Sequence, residues 1–237
     1  MRAIILAGGR GTRLRPLTIS FPKPLVPLGG MPILELVVRQ LKAAGFERIT
    51  LSTGYLAELI RAYFGDGSRW GLLIDSVHEE KPLSTAGPLQ LVPDLPEHFL
   101  VMNGDLLTDL DYAALLREHA ASGAAATVAT KTREAVTDFG IVEADAHGDL
   151  ARWIEKPTHS YQVSMGVYAL SRATVGLIRE GEAIGMPDLL MRAVGEGRRV
   201  ACHRFEGYWL DIGRVEDYET AQQEFEQRRD RLVPRDA

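Results

Sequence analysis

Cysteine is almost missing from this chain. Cys202 is the only one among 237 residues, so no intrachain disulfide can form, which points to a reducing compartment. Its neighbours, VACHRF, alternate like a strand and predict a packed thiol rather than a nucleophile. Long hydrophobic runs are missing as well: none approaches the ~20 apolar residues of a membrane-spanning helix. There is no surplus of positive charge. The formal net charge of -5 offers no bulk field to nucleic acid or to an anionic membrane. The first residues enter a strand-like run with no basic leader before it. These absences predict a soluble, cytoplasmic protein with neither nucleic acid nor membrane as partner.

Lysine is scarce too, and its placement is informative. Of Lys23, Lys42, Lys81, Lys131 and Lys156, three precede a proline (Pro24, Pro82, Pro157). A residue before proline is driven toward extended or turn backbone, so these cations lie outside helix interiors. The remaining composition, 46% hydrophobic and 25% charged, is that of a globular protein able to bury a full core.

Strand and helix patterns alternate through the first half: RAIILA, a helix ILELVVRQLKAAG begun by Pro32 and stopped at Gly45, ERITLST, a helix from Leu56 to Phe64, GLLIDSV, HFLVMNG, a helix YAALLREHAA, then AATVATK. The second half reads as strands FGIVEAD, DLARWIEK, QVSMGVYAL and RRVACHRF, with helices near Thr174–Arg179 and Pro187–Val194. The segment EDYETAQQEFEQRRDRL reads as an exposed C-terminal helix that could pair with a copy of itself in a homodimer. The fold class is α/β: a Rossmann-like three-layer sandwich with a mixed, mostly parallel central sheet. No linker or repeat divides the chain, which predicts one domain.

The densest local signal is LAGGRGTRLRPLT, Leu6–Thr18. A dinucleotide fingerprint fails here because Leu14 stands where the third glycine belongs, and FPKPLVPLGG downstream cannot be the expected helix. A P-loop fails because no lysine follows the second glycine. What remains is a glycine-rich turn, Arg13, Arg15 and Lys23, the last on an arm stiffened into extended backbone by Pro22, Pro24 and Pro27. Backbone N–H groups plus cations form a chelate for a triphosphate or pyrophosphate.

LAGGRGTRLRPLT followed by FPKPLVPLGGMPIL resembles the sugar-1-phosphate nucleotidylyltransferase family. The likeness continues in order through EEKPLSTAGPL, VMNGDLLTDLD, FGIVEAD, WIEKP, SMGVYAL and YWLDIGRVEDYETA. It is nearest to guanylyltransferases acting on mannose or manno-heptose 1-phosphates. The resemblance implies the nucleotide-diphospho-sugar transferase type of fold. Residues 1–110 would mainly bind nucleotide, and residues 111–237 would mainly bind sugar phosphate and supply the C-terminal helix.

The resemblance also implies roles. Arg13 and Lys23 would be catalytic. Leu6, Ala7, Gly8, Gly9, Gly11, Thr12, Arg13, Thr85, Ala86, Gly87, Asn103 and Gly104 would bind the nucleotide, the Ser84–Gly87 loop reading the base. Gly140, Glu155, Lys156, Ser164 and Gly166 would bind the sugar phosphate, Lys156 taking its phosphate. Asp105 and Asp211 would hold Mg2+. Read from position alone, Asp105 could equally be a helix or turn cap. Asp211 amid Trp209, Leu210 and Ile212 would be buried at some cost unless a cation joins it. Two departures stand out: Ser84 where many relatives have Gly, which bears on the base, and Ser164 where many have Asn, which bears on the sugar.

Rival readings remain. Uridylyl-, cytidylyl- and thymidylyltransferases share nearly every motif. Asp109-Leu110-Asp111 suits a metal-dependent glycosyltransferase, although both aspartates fall where a helix N-cap belongs. A non-catalytic sugar-nucleotide sensor would have lost a phosphate-binding cation or a metal carboxylate, and this chain keeps them all.

Overall fold

In the computed structural model, which describes residues 1–234, the opening apolar run forms β1 (Arg2–Ala7), buried at nearly every position. Continuous burial, rather than alternation, is what a central strand covered on both faces requires. Two short strands, β2 (Pro27–Leu28) and β3 (Met31–Pro32), precede α1 (Ile33–Ala43). Pro32 occupies the N-cap of that helix, where its missing N–H leaves no bond unmade. Then come β4 (Arg48–Thr53), α2 (Ala57–Phe64), β5 (Leu73–His78), β6 (His98–Asn103) and β7 (Leu106–Thr108). Asp111 caps α3 (Tyr112–Ser122), its carboxylate accepting from the Ala114 N–H at 2.8 Å.

The second half begins with β8 (Ala126–Val136), a hairpin of β9 (Ile141–Ala144) and β10 (Leu150–Ile154), and the long β11 (Thr158–Ser171). It ends with α4 (Arg172–Val175), α5 (Met186–Gly195), β12 (Val200–Arg204), β13 (Trp209–Asp211) and α6 (Val215–Leu232).

Seven strands form the central sheet in the order β12-β8-β11-β6-β1-β4-β5. β11 is antiparallel to both neighbours and every other pair is parallel, so the sheet is mixed and mostly parallel. Consecutive residues of β1 feed opposite layers: Ile5 packs with Leu41, Phe46, Phe64 and Leu115, whereas Ile4 packs with Leu89, Phe99, Leu170 and Leu189. No helix among the described residues is long and apolar enough to cross a membrane.

Four details differ from the sequence reading. The α6 helix is exposed on only one face; Tyr218, Ala221, Phe225 and Leu232 are buried in a third cluster with Leu14, Leu28, Leu107 and Ile212. Their helical spacing was present but diluted by surrounding charges. Cys202 is exposed, because β12 is an edge strand with one uncovered face. The α4 helix starts at Arg172 and ends at Val175, short of Arg179. Lys23 does not lie on extended backbone but opens a single 3-10 turn, Lys23–Leu25, closed by Val26 N–H donating to the Lys23 carbonyl at 3.1 Å.

Candidate active site

From β1 the chain builds outward to β4 and β5, then returns to place β6 on the other side of β1. Loops leaving the carboxyl ends of these parallel strands therefore diverge and leave a crevice, the place where open α/β sheets take ligands. A cavity of about 760 Å³ lies there. Its walls include the glycine-rich loop after β1, Ser52, Gly54 and Tyr55 at the end of β4, His78 to Glu80 at the end of β5, and Asn103 to Asp105 at the end of β6.

The glycines are there for close approach. A Cβ on Gly8 would lie 2.2 Å from Glu79 Oε1, and one on Gly54 would lie 2.9 Å from the Gly8 carbonyl oxygen. That carbonyl accepts from the Tyr55 N–H at 3.2 Å, which ties the loop to the end of β4. Gly11 has a φ of +59°, and its carbonyl accepts from Thr18 Oγ1 at 2.7 Å. The next turn, Thr12–Leu14, is anchored by buried Leu14 and leaves Arg13 on the cavity wall.

Most expected nucleotide residues converge here: Leu6, Ala7, Gly8, Gly9, Gly11, Thr12, Arg13, Thr85, Asn103 and Gly104 all line the cavity, as does Lys23. Ala86 and Gly87 sit behind it. Their N–H groups both donate to the Ile184 carbonyl, at 2.9 and 3.2 Å, so the loop presents Ser84 and Thr85 instead. Ser84 has a φ of +66°, a left-handed conformation that suits glycine better than serine.

Asp105 and Asp211 are brought together from distant parts of the chain. β13 pairs antiparallel with β7, setting Asp211 opposite Leu106, and the Ile212 N–H donates to the Asp105 carbonyl at 3.1 Å. Burial, and next the nearby Asp105 charge, push the Asp211 carboxyl above its ordinary range; Lys23 and Arg13 pull the other way. Lys23 Nζ is ion-paired with Asp105 Oδ2, while Asp105 Oδ1 is buried without a partner. An orphaned carboxylate oxygen beside a second, destabilised carboxylate fits a divalent cation. Two carboxylates also match the way Mg2+ is held, with water and phosphate oxygens completing its shell.

Asp109 and Asp111 serve the fold. Asp111 is the α3 cap, and Asp109 accepts from the Tyr208 N–H at 2.7 Å and pairs with Arg231. Neither lines the cavity, which removes the structural basis of the glycosyltransferase reading.

The expected sugar-phosphate residues fall into two groups. Gly166, with a φ of +73°, packs so tightly on Asn103 that a Cβ would lie 2.6 Å from Nδ2. Nearby Ser164 Oγ is 3.1 Å from the Tyr168 hydroxyl. Gly140, Glu155 and Lys156 gather at the base of the β9–β10 hairpin, and none of the five residues, Ser164 and Gly166 included, is among those lining the cavity. There the Trp153 indole N–H donates to Glu155 Oε2 at 3.0 Å, and the ring leaves no room for a side chain on Gly140.

Sequence reasoning missed Ser52, Gly54, Tyr55, His78, Glu79 and Gly213 as cavity residues. A signal existed for the first five. They stand at or just past the carboxyl ends of β4 and β5, the two parallel strands on one side of β1, where the topology brings loops together.

Fold and site together define an α/β protein with a glycine-rich loop, Arg13, Lys23 and Asp105 on one crevice, and with Asp211 close to Asp105 but not among the residues lining the cavity. The chain belongs to the Nucleotidyl transferase family, whose profile matches residues 2–228. It is 34% identical to a UTP–glucose-1-phosphate uridylyltransferase of Synechocystis sp., over 92% of this chain and 61% of that protein. It is also 34% identical to the mannose-1-phosphate guanylyltransferase catalytic subunit beta of Xenopus tropicalis, over 93% of this chain and 63% of that protein. The chain thus spans somewhat over three fifths of the length of these relatives. HddC from Yersinia pseudotuberculosis has the same fold, with a TM-score of 0.72, 25% identity and coverage of 94% of this chain and 99% of that one. HddC has also been solved with GMP-PN.

Proposed function

We propose that the protein transfers a nucleotidyl group from a nucleoside triphosphate to a sugar 1-phosphate, releasing pyrophosphate. The observation that carries this reading is the meeting of the Gly8–Gly11 loop, Arg13, Lys23 and Asp105 on one crevice. The loop N–H groups cradle the triphosphate. A phosphate oxygen of the sugar 1-phosphate attacks the α-phosphorus in line, and the bond from that phosphorus to the pyrophosphate oxygen breaks. The nucleophile is already anionic at neutral pH, so no general base is needed, and catalysis is positioning plus charge neutralisation. The Arg13 guanidinium takes up charge on the leaving pyrophosphate. Lys23 grips the α-phosphate, Lys156 the sugar phosphate, and Glu155 the sugar. Asp105 and Asp211 would hold Mg2+, which supplies further neutralisation of phosphoryl charge when bound.

The substrate pair in this reading is GTP with a mannose- or manno-heptose-type sugar 1-phosphate. Glu79 supports guanine. Its carboxylate lies against Gly8 at the cavity wall, with one oxygen accepting from the Leu83 N–H at 2.9 Å. The remaining lone pairs suit the adjacent N1–H and N2–H donors of guanine, whereas uracil offers one N–H flanked by carbonyl oxygens that a carboxylate repels. The guanylyltransferase relative and the GMP-PN complex of HddC support the same base. The equally similar uridylyltransferase keeps UTP as the second reading.

The test is pyrophosphate release with Mg2+ over a grid of nucleoside triphosphates against mannose, glucose, N-acetylglucosamine and manno-heptose 1-phosphates. Turnover with GTP and a manno-configured sugar is expected. Turnover with UTP alone would overturn the base assignment, and a silent grid would overturn the reaction.

A further inference from the structure

We infer that Lys23 acts as a stand-in cation on Asp105, weakening metal binding until a nucleotide draws the lysine away. This rests on the metal role proposed above for Asp105 and Asp211. Three observations carry it. Lys23 Nζ is ion-paired with Asp105 Oδ2, and the two side chains are only 11% and 20% exposed. The partner oxygen, Asp105 Oδ1, is buried with no hydrogen-bond partner, so the ammonium satisfies one oxygen of the carboxylate and leaves the other unsatisfied. Lys23 also lines the same cavity wall as the glycine-rich loop, within reach of any triphosphate seated there.

The backbone around Lys23 makes the contact a designed one. The 3-10 turn Lys23–Leu25 is fixed at its start by extended Pro22 and by Pro24 within the turn. Its far side is pinned where the Tyr218 hydroxyl donates to the Pro27 carbonyl at 2.6 Å and where the Phe225 ring covers Gly29. The Lys23 Cβ touches the Gly11 region, since a side chain on Gly11 would lie 3.0 Å from it. The backbone is therefore held while the four-carbon stem can swing between carboxylate and phosphate.

Two carboxylates without a cation repel each other, and one ammonium offsets part of that repulsion. A divalent ion arriving alone must displace Lys23 and leave its charge without a partner. A metal arriving with a triphosphate supplies that partner, because phosphate oxygens accept the released ammonium. Lys23 thereby weakens the binding of a metal ion that arrives alone and favours one that arrives with nucleotide.

The experiment uses Mn2+ alone on the whole protein, with free ion followed by electron paramagnetic resonance. Lys23→Met, of similar length and no charge, should bind Mn2+ at least about tenfold more tightly than wild type, and Lys23→Arg should bind as weakly as wild type. In unmodified protein, reductive methylation read by mass spectrometry should find Lys23 protected, then increasingly reactive as Mn2+ is raised, with Lys42 and Lys81 unchanged. Equal affinity in wild type and Lys23→Met would overturn the inference, as would methylation of Lys23 indifferent to Mn2+. If these fail while sugar-nucleotide synthesis with Mg2+ proceeds, the stand-in role alone is wrong. If no form binds Mn2+ and no synthesis is seen, the proposed function is wrong too.

Discussion

The Ile212 N–H donates to the Asp105 carbonyl at 3.1 Å, and this bond joins the end of β6 to the end of β13. With Asp211 opposite Leu106 in the β13–β7 pair, two acidic side chains meet that the sequence keeps far apart. Their proximity is unfavourable by itself, as the upward displacement of the Asp211 carboxyl records. A cation placed beside the pair would relieve both the burial and the repulsion.

Asp105→Asn and Asp211→Asn should each lower turnover by roughly 10²–10³ at saturating Mg2+, the usual effect of removing one charge-stabilising group. Circular dichroism and melting should stay close to wild type. Either variant turning over at a near-normal rate would remove that residue from the metal centre.

Arg13→Ala should depress kcat far more than it changes the KM for sugar 1-phosphate. Steady-state kinetics with each substrate varied separately makes the check. A change confined to sugar phosphate KM would place Arg13 on the wrong substrate.

Gly8→Ala should displace the Glu79 carboxylate, since the new Cβ would stand 2.2 Å from Oε1. Nucleotide affinity should fall, measured by calorimetry. Glu79→Gln should erode the preference for GTP over UTP by about tenfold or more, the worth of one charged hydrogen bond. An unchanged GTP to UTP ratio would exclude Glu79 as the base reader.

Phe225→Ala should destabilise the protein by about 3–5 kcal/mol, because the ring is fully buried and fills the space over Gly29. Urea unfolding is the direct measurement. A loss below about 1 kcal/mol would mean that α6 is not anchored as described.

His119 should make stability fall in acid. It is buried, contacts Thr127 Oγ1 at 3.0 Å and Ser171 Oγ at 3.2 Å, and its pKa is pushed down to about 4 by burial and then by His98. An unfolded histidine takes up its proton near pH 6.5, the folded one only near 4. Between those values the unfolded state binds more protons, so stability declines as pH drops through this window and levels below it. The decline due to this group is on the order of 3 kcal/mol at most. Urea titrations at pH 7.5 and 4.5 should show a smaller difference for His119→Gln than for wild type.

The glycine-rich loop and the alternation of strands with helices were legible because each depends on local rules, whereas the three prolines around Lys23 suggested an extended arm where a 3-10 turn forms. Glycine permits close approach, proline restricts φ, and apolar periodicity marks the faces of helices and strands. From these the layered α/β class followed, and the loop after β1 could be read as a phosphate site before any contact was known. Residues whose role depends on a distant neighbour were not legible in this way. Cys202 shows no local sign that β12 is an edge strand, and the apolar stripe of α6 has meaning only against Leu14, Leu28 and Gly29. Glu79 became a candidate only once β5 was placed beside β4, and the ion pair of Lys23 with Asp105 only once β6 was placed beside β1. The sequence by itself determined which groups could bind phosphate, because donors and backbone freedom are written in residue type. Only the tertiary structure decided which carboxylates meet, because strand order and register set distances that no local pattern encodes.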